Sequence, residues 1–215
     1  MVNEYKQQFY KNQAEGIINK LKARKMEGYY CESVDDAKLK LKELLNKDNK
    51  KKVVSYGGSM TIDDNDFKSV VTNEGHELII REDYKTEEEL KECKAKIINS
   101  DVFMMSTNAI TLDGELINID GRGNRVSFLI YGPDEVIIIT GMNKVVANVE
   151  DGIRRVRNEA TPPNTVRLNR NTPCAKTGRC GDCLTESICC QIVVTRASMI
   201  PGRIKVILVG DELGY

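Results

Sequence analysis

Residues 53–61 read VVSYGGSMT, a short apolar strand that runs into a glycine-rich turn with hydroxyl side chains. Downstream of this stretch, strand and helix patterns alternate along the chain. We predict a helix around Asp66–Asn73, a strand at Glu77–Arg81, a helix that opens at Thr86 and a strand at Asp101–Ser106. This alternation predicts an α/β fold in which a mostly parallel sheet is covered by helices on both faces.

Two amphipathic helices are predicted upstream of that first strand. Apolar residues recur at helical spacing from Glu4 to about Met26, between lysines and glutamines. A second helix should begin after Ser33, which is a favourable N-cap residue and is followed by two aspartates at positions 35 and 36. We expect both helices to pack as covering layers on the sheet.

The pattern changes after residue 106. Residues Ile110–Ile119 place Asp113-Gly114 between two alternating segments, which predicts a tight hairpin. A helix is predicted from about Val146 to Asn158, and Pro162-Pro163 should stop it. The remaining apolar runs are interpreted as strands at Arg125–Tyr131, Glu135–Thr140, Ile192–Thr195 and Ile204–Val209.

The composition is that of one globular body. The 215 residues carry 32 Lys and Arg against 32 Asp and Glu, so no basic field would concentrate nucleic acid. No apolar stretch reaches the roughly 18 residues that a membrane-spanning helix needs, and no secretory signal is evident. We therefore expect a single cytoplasmic domain over residues 1–215, with a small-molecule or protein partner and with homo-oligomerisation left open.

Five of the seven cysteines lie between Cys174 and Cys190, within a cysteine-rich segment that we define as residues 172–191. In a reducing compartment such a cluster is more typical of a metal or redox site than of disulfides. Only two residues separate Cys180 from Cys183, so both sulfurs can face one centre. The alternative interpretation is that some of these thiols are buried apolar residues or form adventitious disulfides.

Four thiolates suit either a [4Fe–4S] cluster or zinc. Zinc ribbons usually repeat the two-residue gap, whereas this chain has it once, so the spacing favours the cluster and leaves zinc as the alternative. Cys189 and Cys190 are adjacent, and neighbouring side chains of an extended segment point in opposite directions. We therefore expect only one of the two to face the centre.

Polar residues at the ends of the predicted strands indicate a small-molecule cleft, because open α/β sheets bind ligands there. Gly57-Gly58-Ser59 would let an anion approach the backbone closely, although glycine after a strand is also common in ordinary turns. Residues 120–125 could clamp a carboxylate or phosphate through arginine, or form a solvated turn. We assign to this cleft Gly57, Gly58, Ser59, Thr61, Thr107, Asn108, Thr111, Asp113, Asn118, Asp120, Asn124, Arg125, Asn143 and Lys144.

Four segments form a specific combination, namely Thr107–Gly114, Asn118–Val126, Gly141–Val146 and Gly57–Thr61. They give the chain a resemblance to the lactate-utilisation (LUD) domain family. It implies a fold like that of ribose-5-phosphate isomerase, glucosamine-6-phosphate deaminase and CoA transferases, with a small antiparallel appendage. It also implies a loose link to organic-acid oxidation, in which a LUD protein acts beside iron–sulfur subunits.

The cysteine-rich segment resembles the tail of a small anaerobe-type branch of the same family, in which the tail follows a Thr-Pro-Cys-Ala element. Here that element is Thr172-Pro173-Cys174-Ala175. Similarity to this branch favours Cys190 over Cys189, so the metal ligands that we predict are Cys174, Cys180, Cys183 and Cys190.

Two functions remain open at this point. The first is an enzyme or enzyme subunit of organic-acid or sugar-acid metabolism, with an anion-binding cleft and a four-cysteine site. In that enzyme Lys144 could contact the anion or, if it is desolvated, act as a base. The second is a non-catalytic accessory or electron-relay protein that docks on an iron–sulfur redox complex. The catalytic residues are not assigned.

Overall fold

The computed structural model describes residues 3–215. Its ten strands are β1 (Glu27–Cys31), β2 (Val53–Tyr56), β3 (Glu77–Leu78), β4 (Val102–Met105), β5 (Ala109–Thr111), β6 (Leu116–Asp120), β7 (Glu135–Gly141), β8 (Val145–Val146), β9 (Gln191–Thr195) and β10 (Ile204–Val209). Six of them form the main sheet in the order β1-β10-β7-β4-β2-β3. Every pairing in that sheet is parallel, which confirms the predicted α/β class.

The helices are α1 (Glu4–Ala23), α2 (Val34–Leu45), α3 (Met60–Asp64), α4 (Phe67–Asn73), α5 (Glu87–Ile98), α6 (Asn124–Ile130), α7 (Val149–Arg155), α8 (Thr161–Arg167) and α9 (Pro173–Thr177). A π-helical turn at Val156–Ala160 joins α7 to α8. Within residues 3–215, no helix combines the length and the apolar character needed to cross a membrane.

Helices cover both faces of the main sheet, and β4 shows how the two layers are separated. Phe103 and Met105 pack into one core cluster with α1, α5 and α6, whereas Val102 and Met104 pack into another with α2 and α4. All four side chains are buried. Successive side chains of a strand point to opposite faces, so a fully apolar strand builds both cores at once.

The predicted helix starts are confirmed by their caps. Ser33 Oγ accepts the backbone N–H of Asp36 at the start of α2. Thr86 and Glu89 form a reciprocal capping box at the start of α5. These side chains satisfy backbone donors that have no partner inside the helix.

The second sheet has the strand order β8-β5-β6-β9. Its β5–β6 pair is antiparallel and turns at Asp113-Gly114, as predicted, and Gly114 has a positive φ of 80°. β6 also pairs antiparallel with β9, so the chain returns to this sheet directly after the cysteine-rich segment.

Residues Asn124–Ile130 form helix α6, so the strand predicted at Arg125–Tyr131 is wrong. The backbone turns into the helix at Gly123, whose φ is 78° and whose N–H donates to Asp120 Oδ1 at 3.0 Å. Val126 and Leu129 are buried three residues apart, which is a helical spacing that the apolar run concealed. The strand predicted at Glu77–Arg81 is also shorter, because Arg81 already belongs to a 3₁₀ turn.

The helix predicted to stop before Pro162-Pro163 continues to Arg167. The π turn ends one α-segment, and both prolines lie in the first turn of the next one. Backbone N–H groups in a first helical turn have no intrahelical acceptor, so proline costs little there. The resulting helix from Val149 to Arg167, which we call the bridging helix, runs past both candidate sites.

Candidate functional site

A cavity of about 340 Å³ opens at the carboxyl ends of the parallel strands. Its floor is formed where the chain leaves β2 at Gly58–Thr61, β4 at Ser106–Asn108 and β7 near Lys144. The loop that follows β6 and the bridging helix form its sides. This is the edge at which open parallel sheets hold their ligands.

Lys144 is the cationic group at the floor of the cleft. Its side chain is buried, and its Nζ donates to Thr61 Oγ1 at 3.0 Å and to Ser106 Oγ at 3.2 Å. Within residues 3–215 it forms no salt bridge. Burial, assisted by the positive charges of Arg155 and Arg125, lowers the pKa of Lys144 to about 7. Much of this amine is therefore neutral near pH 7, when it can accept a proton or attack a carbonyl.

Arg125 fixes the floor beside Lys144. One guanidinium nitrogen donates to Ser106 O and Asn118 Oδ1, and the other donates to Asn108 Oδ1 and Ile119 O. Burial lowers the pKa of Arg125, and the carboxylate of Asp120 opposes that shift. Because its hydrogen bonds go to the protein, Arg125 holds the ends of β4 and β6 together and adds positive potential to the cleft.

The mouth of the cleft carries four further arginines, which we call the rim arginines: Arg81, Arg122, Arg167 and Arg170. All four are exposed, and none of them forms a salt bridge within the described part of the chain. The one acidic side chain in the cavity wall, as far as residues 3–215 are concerned, is Asp120, which pairs with Arg125. A chain with zero net charge thus gathers positive charge in one cleft, which favours anionic ligands.

The structure brings nine of the predicted cleft residues to the cavity wall: Gly58, Ser59, Thr61, Thr107, Asn108, Asp120, Asn124, Arg125 and Lys144. Gly57 and Asn118 lie against Arg125; a Cβ at Gly57 would sit 3.1 Å from Arg125 Cγ.

Three predicted cleft residues lie away from the cavity wall. Thr111 contacts Glu115, and Asp113 pairs with Lys20 at 3.1 Å, because the hairpin carries both residues beyond the sheet edge. Asn143 accepts the backbone N–H of Leu213 at 3.1 Å and so anchors the C-terminal residues.

Sequence reasoning missed most of the wall that the bridging helix and its C-terminal end provide. Thr161, Asn164, Arg167 and Arg170 line the cavity, as does Arg81 from the opposite side. An isolated arginine at an exposed position has no sequence pattern around it that would distinguish the rim of a binding cleft from ordinary protein surface. Arg122 lies inside the 120–125 loop that the sequence indicated as a possible anion clamp. Its positive charge was the signal that could have assigned it to the cleft.

The cysteine-rich segment also packs against the bridging helix. Cys189 Sγ lies 3.6 Å from Thr161 Oγ1, and Cys174 Sγ lies 3.5 Å from Thr165 Oγ1. One turn earlier, Arg157 contacts Cys180 and Asp182. Residues four apart on a helix are neighbours, so these contacts arrange three thiols along one face.

Cys189, rather than Cys190, lies with the other thiols. Burial raises the pKa of Cys189; a hydrogen bond with Thr161 opposes the shift, and nearby Cys180, Cys174 and Cys183 add to it. Cys190 is exposed, and its Sγ donates to Ser187 O at 3.4 Å. The structure therefore separates the residue predicted as the fourth ligand from the other three.

The donor chemistry of the segment suits a thiophilic metal, but its sulfur atoms do not form a closed shell. All seven cysteines are free thiols. Within residues 3–215, no three Cys, His, Asp or Glu side chains are grouped closely enough to hold one ion. Arg157 beside Cys180 would offset thiolate charge if the sulfurs converged.

Comparison with known proteins agrees with this architecture. The model of the LUD domain family matches residues 14–209. The chain belongs to the LUD domain family. A crystal structure of a DUF162 family protein from Deinococcus radiodurans is similar to this LUD protein with a TM-score of 0.51 and 15% sequence identity. The alignment covers 94% of this chain and 98% of that one, and it shows a shared fold. No curated protein matches the LUD chain.

Proposed function

We propose that this LUD protein is an enzyme, or a subunit of one, that acts on a small organic acid or sugar acid carrying a carboxylate or phosphate. The observation that carries this proposal is Lys144, a buried amine with a pKa of about 7 at the floor of a cationic cleft. Buried lysines of this kind serve as bases and as carbonyl nucleophiles. The position of this amine in a cleft beside hydroxyl groups and arginines is what connects its lowered pKa to function.

The positions of the charges assign a role to each layer of the cleft. The rim arginines attract and orient the anionic group of the substrate at the mouth. The rest of the substrate then extends toward Thr61, Ser106 and Lys144 at the floor. The two hydroxyls hold the amine in place, and the neutral form removes a proton from carbon next to a carbonyl or attacks the carbonyl itself.

The experiment is a ligand screen followed by a turnover assay. Calorimetry with small carboxylates, including lactate, and with sugar phosphates should find saturable binding to the wild-type chain. Nuclear magnetic resonance of the bound compounds should then detect conversion. Lys144→Met should keep binding within about threefold but reduce turnover by about 100-fold or more, because the base is lost. Lys176→Met, which removes an exposed lysine of the cysteine-rich segment, is the matched control.

A second candidate function is supported by the surface of the cysteine-rich segment. Leu184 is 94% exposed between Cys183 and Cys189, so the segment offers an apolar side chain that a partner protein could cover. In this alternative the segment carries a [4Fe–4S] cluster, or zinc, and docks on an iron–sulfur redox complex as an accessory or electron-relay part. Failure of every anion to bind, together with co-purification of iron–sulfur subunits, would favour the accessory role over the enzyme.

A further inference from the structure

We propose that Cys189, and not its neighbour Cys190, completes a four-thiolate metal centre with Cys174, Cys180 and Cys183 beside the bridging helix. The inference rests on the metal-binding part of the proposed function and names the chemistry of that site more closely. The ligand is a thiophilic metal that accepts four sulfurs, either zinc or an iron–sulfur cluster.

The first argument comes from the helix against which the thiols pack. Thr161 and Thr165 are one turn apart, and each contacts a different cysteine, Cys189 at 3.6 Å and Cys174 at 3.5 Å. These two cysteines are far apart in sequence, yet positions one turn apart on one helix contact them both. A hydrogen bond between Thr172 Oγ1 and Cys174 Sγ, at 3.3 Å, fixes the second thiol further.

The second argument is the direction in which the adjacent cysteines point. The backbone N–H of Cys190 donates to Asp120 O at 3.0 Å, so this part of the chain already runs alongside the end of β6. Side chains alternate along such a segment. Cys189 packs against the apolar cluster that includes Val156 and Ala160 of the bridging helix, whereas Cys190 is exposed.

The third argument is charge. Four thiolates around one divalent ion carry a net negative charge, which burial beside an apolar cluster would penalise. Arg157 lies one turn before Thr161 on the same helix and contacts Cys180 and Asp182. The Sγ of Cys190 instead contacts the carbonyl of Ser187.

Convergence of the four sulfurs requires a change in the loop that carries Cys180 and Cys183. That loop contains neither helix nor strand, and Gly178 before it has a positive φ of 69°. Cys174 and Cys189 contact threonines of the bridging helix, whereas Cys180 and Cys183 lie in the chain between them. The two-residue gap between Cys180 and Cys183 allows both sulfurs to face one centre.

The test is metal loading of Cys189→Ser and Cys190→Ser beside the wild-type chain, purified without oxygen. One arm adds zinc alone, and the other adds ferrous iron with sulfide. Element analysis and visible absorbance measure the metal retained after desalting. We expect Cys190→Ser to keep the wild-type metal content and Cys189→Ser to lose most of it. The arm that loads the wild-type chain identifies the metal.

A second measurement does not depend on whether a variant folds. The loaded wild-type chain is alkylated briefly, and the modified thiols are mapped by mass spectrometry. Cys190 should be modified at the rate of the metal-free chain, while Cys174, Cys180, Cys183 and Cys189 should be protected at least about tenfold.

Protection of Cys190 with exposure of Cys189, or loss of metal from Cys190→Ser, would overturn the assignment. A wild-type chain that retains neither metal would overturn the metal centre itself. The anion-binding proposal would survive both results, because its assay does not measure metal.

Discussion

The cleft and the cysteine-rich segment both contact the bridging helix, but they are ordered by different means. At the cleft floor, the buried Lys144 and the largely buried Arg125 together make six side-chain hydrogen bonds to partners in α3, in the loop after β4 and in β6. Between Cys180 and Cys190 the chain contains neither helix nor strand. The sheet and its hydrogen bonds preorganise the first region, and we expect the second to become equally ordered only when it binds a metal.

This difference assigns the two regions to different kinds of chemistry. A site held by buried hydrogen bonds can keep an amine neutral and aimed, as catalysis requires. A site held by a few side-chain contacts gains its order when a metal binds, and metal-binding energy then becomes local folding energy. We expect the cleft to be insensitive to metal and the segment to depend on it.

The pH dependence of lysine reactivity offers the sharpest test of the cleft. An amine reacts only when neutral, so labelling of Lys144 by acetic anhydride should rise with pH and level off above about 7, its folded-state pKa. A lysine side chain free in solution has a pKa of about 10.4, so labelling of a lysine model peptide in the same sample keeps rising well above pH 7. At pH 7 the neutral fractions of the two amines should differ by about three orders of magnitude. Competitive labelling with mass spectrometry measures both amines in one sample.

Parallel labelling curves for Lys144 and the model peptide would remove the basis for a catalytic lysine. Limited access to the buried amine lowers the rate of labelling at every pH but leaves the midpoint unchanged. The midpoint is therefore the decisive quantity.

Metal removal tests the other half of the comparison. Chelation of the loaded chain should speed tryptic cleavage after Arg179 by about tenfold or more, because the loop loses its added cross-links. The labelling midpoint of Lys144 should not move. Mass spectrometry of timed digests measures the rate of cleavage after Arg179. Cleavage after Arg196, which lies outside the segment, is the internal control. Equal acceleration at both arginines would mean that chelation unfolds the whole chain.

Binding by the rim arginines should produce smaller changes. Arg122→Ala and Arg170→Ala should each weaken binding of inorganic phosphate by about 3- to 10-fold, since exposed charges contribute modestly to binding. Both effects should shrink as salt is added, because salt screens exposed charges. Calorimetry at two salt concentrations measures the change, and Arg196→Ala is the control because this exposed arginine lies outside the cleft. An equal loss in the control would point to a diffuse charge effect.

Much of the fold followed from local patterns in the sequence. The helices after Ser33 and Thr86 begin where their caps predict, and Asp113-Gly114 turns the hairpin. Such signals are local, so a single sequence contains them. The segment after Gly123 misled the prediction, since an apolar run of this length suits a helix and a strand equally well.

The candidate site was less accessible to sequence reasoning because its parts come from distant segments. Lys144 could be singled out after a strand and a glycine, but the depth of its burial and its bonds to Thr61 and Ser106 depend on tertiary packing. The π turn at Val156–Ala160 was also not predictable from local sequence. It lets the bridging helix continue through two prolines and so reach both candidate sites. Adjacent Cys189 and Cys190 differ only in what packs beside them.

The smallest effect is expected where the two regions touch. Gly121 borders the cleft, and a Cβ there would lie 3.4 Å from the backbone of Ile188, which is ordinary contact. Gly121→Ala should therefore change phosphate affinity and metal content by less than about twofold each. Calorimetry and element analysis measure the two quantities on one preparation. A large loss of metal with unchanged phosphate affinity would contradict this expectation. It would show that Ile188 lies closer to Gly121 in the metal-loaded chain, because only a tighter approach would let one added methyl group weaken metal binding.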